Sequence, residues 1–199
     1  MIDNFHIIEP MLNVSDGDDF YHVQIIRRGK DHPELPSANR TIMSYYISKL
    51  SPMEKYRDEI KTLCEVFGAR AYINLARRSF RDVTVNTVKS LVTRLAEGDF
   101  KKPYRAWNTV SGNLKSKKDT AWVVDMDNDC PGSDRAIAVE NFINSLQPAG
   151  EKIIARVPTK SGFHLITESF NVMEFNKVYP DISVHRNNPT VLYVPKSLY

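Results

Sequence analysis

The run Trp122-Val123-Val124-Asp125-Met126-Asp127 ends an apolar segment in two carboxylates spaced i, i+2. Alternate side chains of an extended strand share a face, so Asp125 and Asp127 point the same way, about 6.5–7 Å apart along the chain. Two acids side by side at a strand end suit a hard divalent cation such as Mg²⁺. The same stretch also reads as a polar turn, helped by Asn128, Asp129, Pro131 and Gly132. Two further sites concentrate polar groups. In Lys160-Ser161-Gly162-Phe163-His164 the glycine permits a tight turn and close backbone approach, while Ser161, Lys160 and His164 offer donors to a phosphate. Taken singly, a histidine on a strand is more often a structural residue. The third site is Asp181, followed by His185 and Arg186. By itself Asp181 reads as a turn residue after Tyr179-Pro180, and His185 as a solvent-exposed one.

The elements that must position these residues follow from periodicity and punctuation. Phe20–Ile26 alternates as a strand, and residues 41–49 form a second. Ser51-Pro52-Met53-Glu54 has the form of a capping box, opening a helix whose stripe is Met53, Tyr56, Ile60, Leu63, Cys64 and Phe67 and whose end is Gly68. Residues 69–75 read as a strand. Asp82 is expected to cap a second helix with Val83, Val85, Val88, Leu91, Val92 and Leu95 turned inward. A polar, basic stretch over 99–119 leads into the 121–127 strand. Ser133 is expected to cap a third helix with Ala136, Val139, Phe142, Ile143 and Leu146 as its stripe. Residues 153–157 and 163–167 read as a hairpin, 172–178 as a short helix, and 182–184 and 191–194 as closing strands around Asn187-Asn188-Pro189. This order predicts an α+β protein with helices packed on a mixed sheet.

The 199 residues suit a single domain with a substantial core. A chain 42% hydrophobic and 26% charged is neither disordered nor low-complexity. The net charge of +3 is compatible with a nucleic-acid partner without requiring one, so local clustering decides. Two cysteines, Cys64 and Cys130, cannot build a structural zinc site, and Cys64 falls on a helix stripe as core. No basic start followed by an apolar run opens the sequence, and no apolar stretch approaches the ~20 residues that cross a bilayer. A cytoplasmic protein without a membrane partner is expected.

Asp-x-Asp at a strand end, then Ser-x-x-His in a hairpin, then an Asp near a later strand resembles the archaeo-eukaryotic primase superfamily, the primase-polymerases. The motifs are Asp125-Met126-Asp127, Ser161-Gly162-Phe163-His164 and Asp181-Ile182-Ser183-Val184. The pattern is also similar to small phage and mobile-element proteins of this catalytic type. It covers residues 120–195. Before the third acid the family has an aliphatic residue where this chain has Pro180, and Asp129 is the rival for that role. The resemblance implies an RRM-like β module, residues 120–199, that binds metal and nucleotide, joined to an N-terminal α/β module, residues 1–119, in one domain.

It further implies a DNA primase or polymerase-like nucleotidyltransferase that joins nucleoside triphosphates with Mg²⁺ or Mn²⁺. Asp125, Asp127 and Asp181 would hold the metals, with His164 in the catalytic set. Lys160, Ser161, His164 and Arg186 would grip the nucleotide. A single-stranded or primed template needs a basic track, for which Arg77, Arg78, Arg81, Lys101, Lys102 and Arg105 are the candidates. Lys115, Lys117 and Lys118 serve equally as track or solvated loop. Tyr104 and Trp107 could stack on bases, and Trp107 equally on the core. At this length other replication proteins are expected as partners. A two-metal nuclease would use the same acids, and a non-catalytic nucleic-acid-binding replication accessory protein would keep only the fold.

Overall fold

The computed structural model describes residues 1–14, 17–34, 39–113 and 121–199. Among these residues the protein is α+β, with two antiparallel sheets and six α-helices. No helix among them is long and apolar enough to cross a membrane. The chain starts with β1 (Ile2–Asp3) and α1 (Phe5–Ile8), then β2 (Asp19–Arg27) and β3 (Arg40–Ser48). Next come α2 (Arg57–Phe67), β4 (Arg70–Ser79), α3 (Phe80–Ala96) and α4 (Ala106–Asn113). The second half is β5 (Trp122–Asp127), α5 (Asp134–Ser145), β6 (Ile153–Pro158), β7 (Gly162–Thr167), α6 (Val172–Val178), β8 (Ser183–His185) and β9 (Thr190–Val194).

The first sheet has the order β1-β9-β4-β2-β3 and the second β6-β7-β5-β8. The single mixed sheet expected from the sequence is therefore replaced by two sheets in which neighbouring strands are antiparallel. The reason is the length of each crossover step. The α5 connection carries the chain from β5 past β7 to β6, and the α6 connection carries it from β7 past β5 to β8, so each helix skips one strand and leaves an antiparallel neighbour between. The second sheet is a β-α-β-β-α-β unit. Strand β9, from the part of the chain expected to hold the metal and nucleotide, leaves that unit and inserts between β1 and β4 of the first sheet.

One core lies between the first sheet and helices α1 and α2, where Val23, Ile25, Ala71 and Ile73 meet Phe5, Ile8, Ile60 and Cys64. Val123, Val157 and Ile166 of the second sheet join it. A second core packs Val124, Met126 and Leu165 under Ala136, Val139, Ile143 and Phe175 of α5 and α6. Ser133 caps α5 as expected, its Oγ accepting from the Ala136 N–H at 3.1 Å. Gly68 closes α2 in the left-handed region (φ 52°), where glycine carries no Cβ penalty. Cys64 is buried, Cys130 is exposed, and both are free thiols.

Three local expectations are corrected. Ser51 is not a helix cap, because it pairs backbone to backbone with Ser48, and a 3-10 turn at Met53–Lys55 precedes α2. Ser79, not Asp82, caps α3, accepting from the Asp82 N–H at 3.0 Å, since β4 runs four residues past its expected end and feeds straight into the helix. Val85, Val88, Val92 and Leu95 are about half exposed, and Val83 alone of that stripe is buried.

The close approach expected of Gly162 is real. A Cβ built there would lie 2.1 Å from the Met126 carbonyl oxygen of β5. Backbone cannot yield as a flexible side chain does, so Gly162→Ala should force β7 away from β5 and cost about 2–4 kcal/mol, within the range of severe core changes. Gly132→Ala, with open space around its Cβ but a φ of 85°, should cost about 1 kcal/mol. Denaturant unfolding of the two variants measures the difference.

Candidate active site

The alternation of β5 divides its side chains cleanly. Val124 and Met126 face α5 and α6, whereas Val123, Asp125 and Asp127 face the other way. In the antiparallel register with β7, Asp125 lies opposite His164 and Asp127 opposite Gly162. Ser161 Oγ donates to Asp127 Oδ1 at 2.8 Å. His164 Nε2 lies 3.7 Å from Asp125 Oδ1. The other ring nitrogen, Nδ1, shares a hydrogen bond of 2.8 Å with the Thr190 hydroxyl on β9. Burial lowers the His164 pKa, the charges of Asp125 and Asp127 oppose that, and His185 adds to the lowering. The structure thus brings Asp125, Asp127, Ser161 and His164 together, as the two motifs predict.

A small pocket of about 80 Å³ is lined by Asp125, Asp127, Asp129, Asp181 and Arg135. Both rivals for the third acid therefore border the same space. Neither is free there, because Arg135 donates to Asp181 Oδ2 and its Nη1 lies 3.6 Å from Asp129 Oδ2. The hydrogen bond from Arg135 holds the Asp181 carboxyl below the usual carboxylate range. Among the described residues no three His, Cys, Asp or Glu side chains are arranged to hold a metal ion. The donor set is nevertheless hard oxygen, and one or two carboxylates suffice for a Mg²⁺ ion whose remaining ligands are water and phosphate oxygens.

Asp125 also borders a larger groove of about 310 Å³ between the two sheets. The second sheet contributes His164 and His185, the β8–β9 turn Asn188 and Pro189, the first sheet Ile26 and Tyr72, and the residue just after β2 Arg28. Arg28 Nη1 donates to the Tyr72 hydroxyl at 3.1 Å. Sequence reasoning missed Arg28, Tyr72, Arg135 and Thr190 as site residues. Arg135 alone had a signal nearby, as the second residue of a helix that starts seven residues after Asp127.

The other predicted residues lie elsewhere. Arg186 packs over the Trp122 ring, 4.8 Å from its centroid, on the face of β5 away from His164. Lys160 donates to the Leu198 carbonyl and lies 5.7 Å from the Tyr199 ring centroid. Arg77 pairs with Asp19 at 3.2 Å and donates to the Asn13 carbonyl. Arg78 is buried, donating to the Ser111 carbonyl at 3.0 Å and to Asn187 Oδ1 at 3.1 Å, so it ties α4 and the β8–β9 turn to β4 instead of meeting solvent. Arg81, Lys101, Lys102 and Arg105 are exposed. Trp107 sets its ring edge-on to Tyr46, 6.0 Å between centroids. Lys115, Lys117, Lys118 and the Tyr104 side chain lie outside the described residues.

Compared with known protein families, curated proteins and solved structures, the chain matches none. The chemistry has to be argued from the site itself.

Two outcomes test the surroundings of the site. Thr190 is fully buried, so Thr190→Val leaves a buried ring nitrogen unpaired and should cost about 1–3 kcal/mol in thermal or denaturant unfolding, with Thr190→Ser recovering most of it. His22, stacked on Tyr46, is buried beside Arg78, and these two causes, burial first, lower its pKa from 6.5 to about 4. The unfolded chain then takes up this proton before the folded one, so stability is complete above pH 6.5 and falls by roughly 3 kcal/mol as pH drops to about 4. His22→Phe should remove that part of the pH dependence in unfolding measured between pH 7 and 4.

Proposed function

We propose that this protein is a primase-polymerase-type nucleotidyltransferase that joins nucleoside triphosphates on a nucleic-acid template with the help of Mg²⁺ or Mn²⁺. The observation that carries the reading is the pairing of Asp125 and Asp127 on β5 with His164 of the neighbouring β7 and Ser161 of the turn before it, with Asp125 and His164 lining the groove and Asp125 and Asp127 the acid pocket. Further support comes from the β-α-β-β-α-β order of the second sheet with spatial order β6-β7-β5-β8, the arrangement expected of an RRM-like catalytic module.

Divalent cations held by Asp125 and Asp127 would lower the pKa of an attacking 3′ hydroxyl and neutralise charge on the α-phosphate and the departing pyrophosphate. The rest falls to the chain's own groups. Ser161, by donating to Asp127, fixes that carboxylate in the direction of the pocket. His164, anchored through Nδ1 by Thr190, keeps Nε2 at the acid face, where a neutral ring with its proton on Nε2 donates to a phosphate oxygen. Asp181 would join the acids once Arg135 lets it go, and Arg135 would then be free to meet phosphate, for which a guanidinium is well suited. The exposed Arg81, Lys101, Lys102 and Arg105 are the remaining candidates for contact with a template backbone.

The tie of Arg135 to both Asp129 and Asp181 favours a second reading, a nucleic-acid-binding replication accessory protein in which the acids no longer act. Template-dependent incorporation of labelled nucleotide in the presence of Mn²⁺ decides between them. Wild type should extend a primed or unprimed template. Asp127→Ala should lose about 10²–10³-fold, the scale on which removal of one preorganised electrostatic group is felt, and His164→Ala about tenfold or more. No incorporation with either metal, together with intact nucleic-acid binding by wild type and Asp125→Ala alike, would favour the accessory role.

A further inference from the structure

We propose that the groove wall formed by Tyr72 of the first sheet and Arg28, just past the end of β2, is a nucleoside subsite, seating the base and sugar of the nucleotide whose phosphates meet Asp125 and His164. This rests on the functional reading above and extends it to residues outside both motifs.

The groove and the acid pocket share Asp125, so a ligand that fills one has its end at the other. Their linings differ in chemistry. The acid pocket presents carboxylates and one guanidinium. The groove adds apolar surface from Ile26 and Pro189, an aromatic ring from Tyr72, and a cation from Arg28. A molecule complementary to both must be polyanionic at one end, where metal and His164 receive it. At the other end it must be flat, partly apolar and able to stack. A nucleoside triphosphate meets those demands. The volume of about 310 Å³ is at the lower end of small-ligand sites, enough for one nucleoside and too small for paired strands.

Tyr72 is prepared for this role. Its hydroxyl accepts from Arg28 Nη1 at 3.1 Å, which holds the ring in one orientation before any ligand arrives. An aromatic face stacks on any base, so the subsite would bind nucleosides without strong preference among bases, as a template-directed enzyme requires. Ile26 comes to the groove from β2 and Tyr72 from the adjacent β4, while Arg28 lies one residue past the end of β2, where a 3-10 turn begins. The stacking residue of the subsite thus stands on a sheet, and the cation is tied to it through the Tyr72 hydroxyl.

The experiment compares two probes on the intact chain with Mg²⁺, a fluorescent nucleoside triphosphate and inorganic tripolyphosphate as competitor. Wild type should bind the nucleotide more tightly than tripolyphosphate. Tyr72→Leu should weaken nucleotide affinity about 5- to 100-fold, the range expected for loss of one stacking contact, and leave tripolyphosphate affinity unchanged. Tyr72→Phe, which keeps the ring, should stay within about threefold. Because Tyr72 also packs beside Ile2 and Val191, a second variant guards against a folding defect: Asn188→Trp, at an exposed position on the groove rim, should fill the groove and weaken the nucleotide alone. If wild type binds both probes equally, or the variants lose both probes in parallel while unfolding normally, the nucleoside subsite is overturned and the phosphate site stands. If wild type binds neither, both readings fall.

Discussion

Asp125 opposite His164 and Asp127 opposite Gly162 are alternate pairings in one antiparallel ladder, with Met126 opposite Phe163 between them, and the site depends on that ladder staying in register. A slip of one residue would turn both acids toward α5 and α6 and bring Val124 and Met126 to the groove. Two features hold the register. The apolar alternation of β5 makes the slipped arrangement bury two carboxylates, and the absence of a Cβ at Gly162 lets the two backbones approach at the strand end, where any other residue would strike the Met126 carbonyl. The turn that follows β5 is closed by the same contact region, because the Asn128 N–H donates to the Ser161 carbonyl at 2.7 Å and Asn128 takes a left-handed backbone (φ 64°) that asparagine tolerates.

The charges around the acids show how a polar site persists without unfolding its surroundings. Asp125 is flanked by a histidine whose pKa burial lowers, and Asp181 by a guanidinium that holds its carboxyl below the usual range. Three of the cations read from the sequence as site residues have other tasks: Arg78 bridges elements inside the protein, Lys160 holds the turn around Leu198 and Arg186 covers an indole. Arg28, just past the end of β2, brings a cation to the groove, and its hydrogen bond to Tyr72 sets where that charge sits.

The elements whose signals are local were legible. Ser133 and the stripe after it gave α5, the apolar run before Asp125 gave β5, and the turn around Gly162 gave the β6–β7 hairpin. The acid–serine–histidine face followed from them because strand alternation and one hairpin suffice to build it. The α3 stripe misled because a 3.6-residue period shows which face is apolar and not whether another element covers it. Arg186 follows β8 directly and turns to Trp122, while His185, read from the sequence as solvent-exposed, lines the groove; which of the two neighbours enters the site depends on how β8 pairs with β5. Thr190, Tyr72 and Arg28 carried no signal, as they reach the site through contact between sheets. The joining of β9 to the first sheet instead of the second was hidden for the same reason.

That excursion of β9 also orders events in time. The β5-to-β8 unit is made of short connections and can close as soon as its own residues exist. The first sheet cannot, because β1 and β4 are joined through a strand that follows nearly everything else in the sequence. Pairings of such long sequence separation form slowly, since the chain's freedom is lost before the contacts are gained. During synthesis the edge of β4 therefore stays open longest, a place for wrong partners to dock. Thr190 heads β9, so His164 gains its anchor only when that edge is sealed, and maturation of the site coincides with completion of the fold.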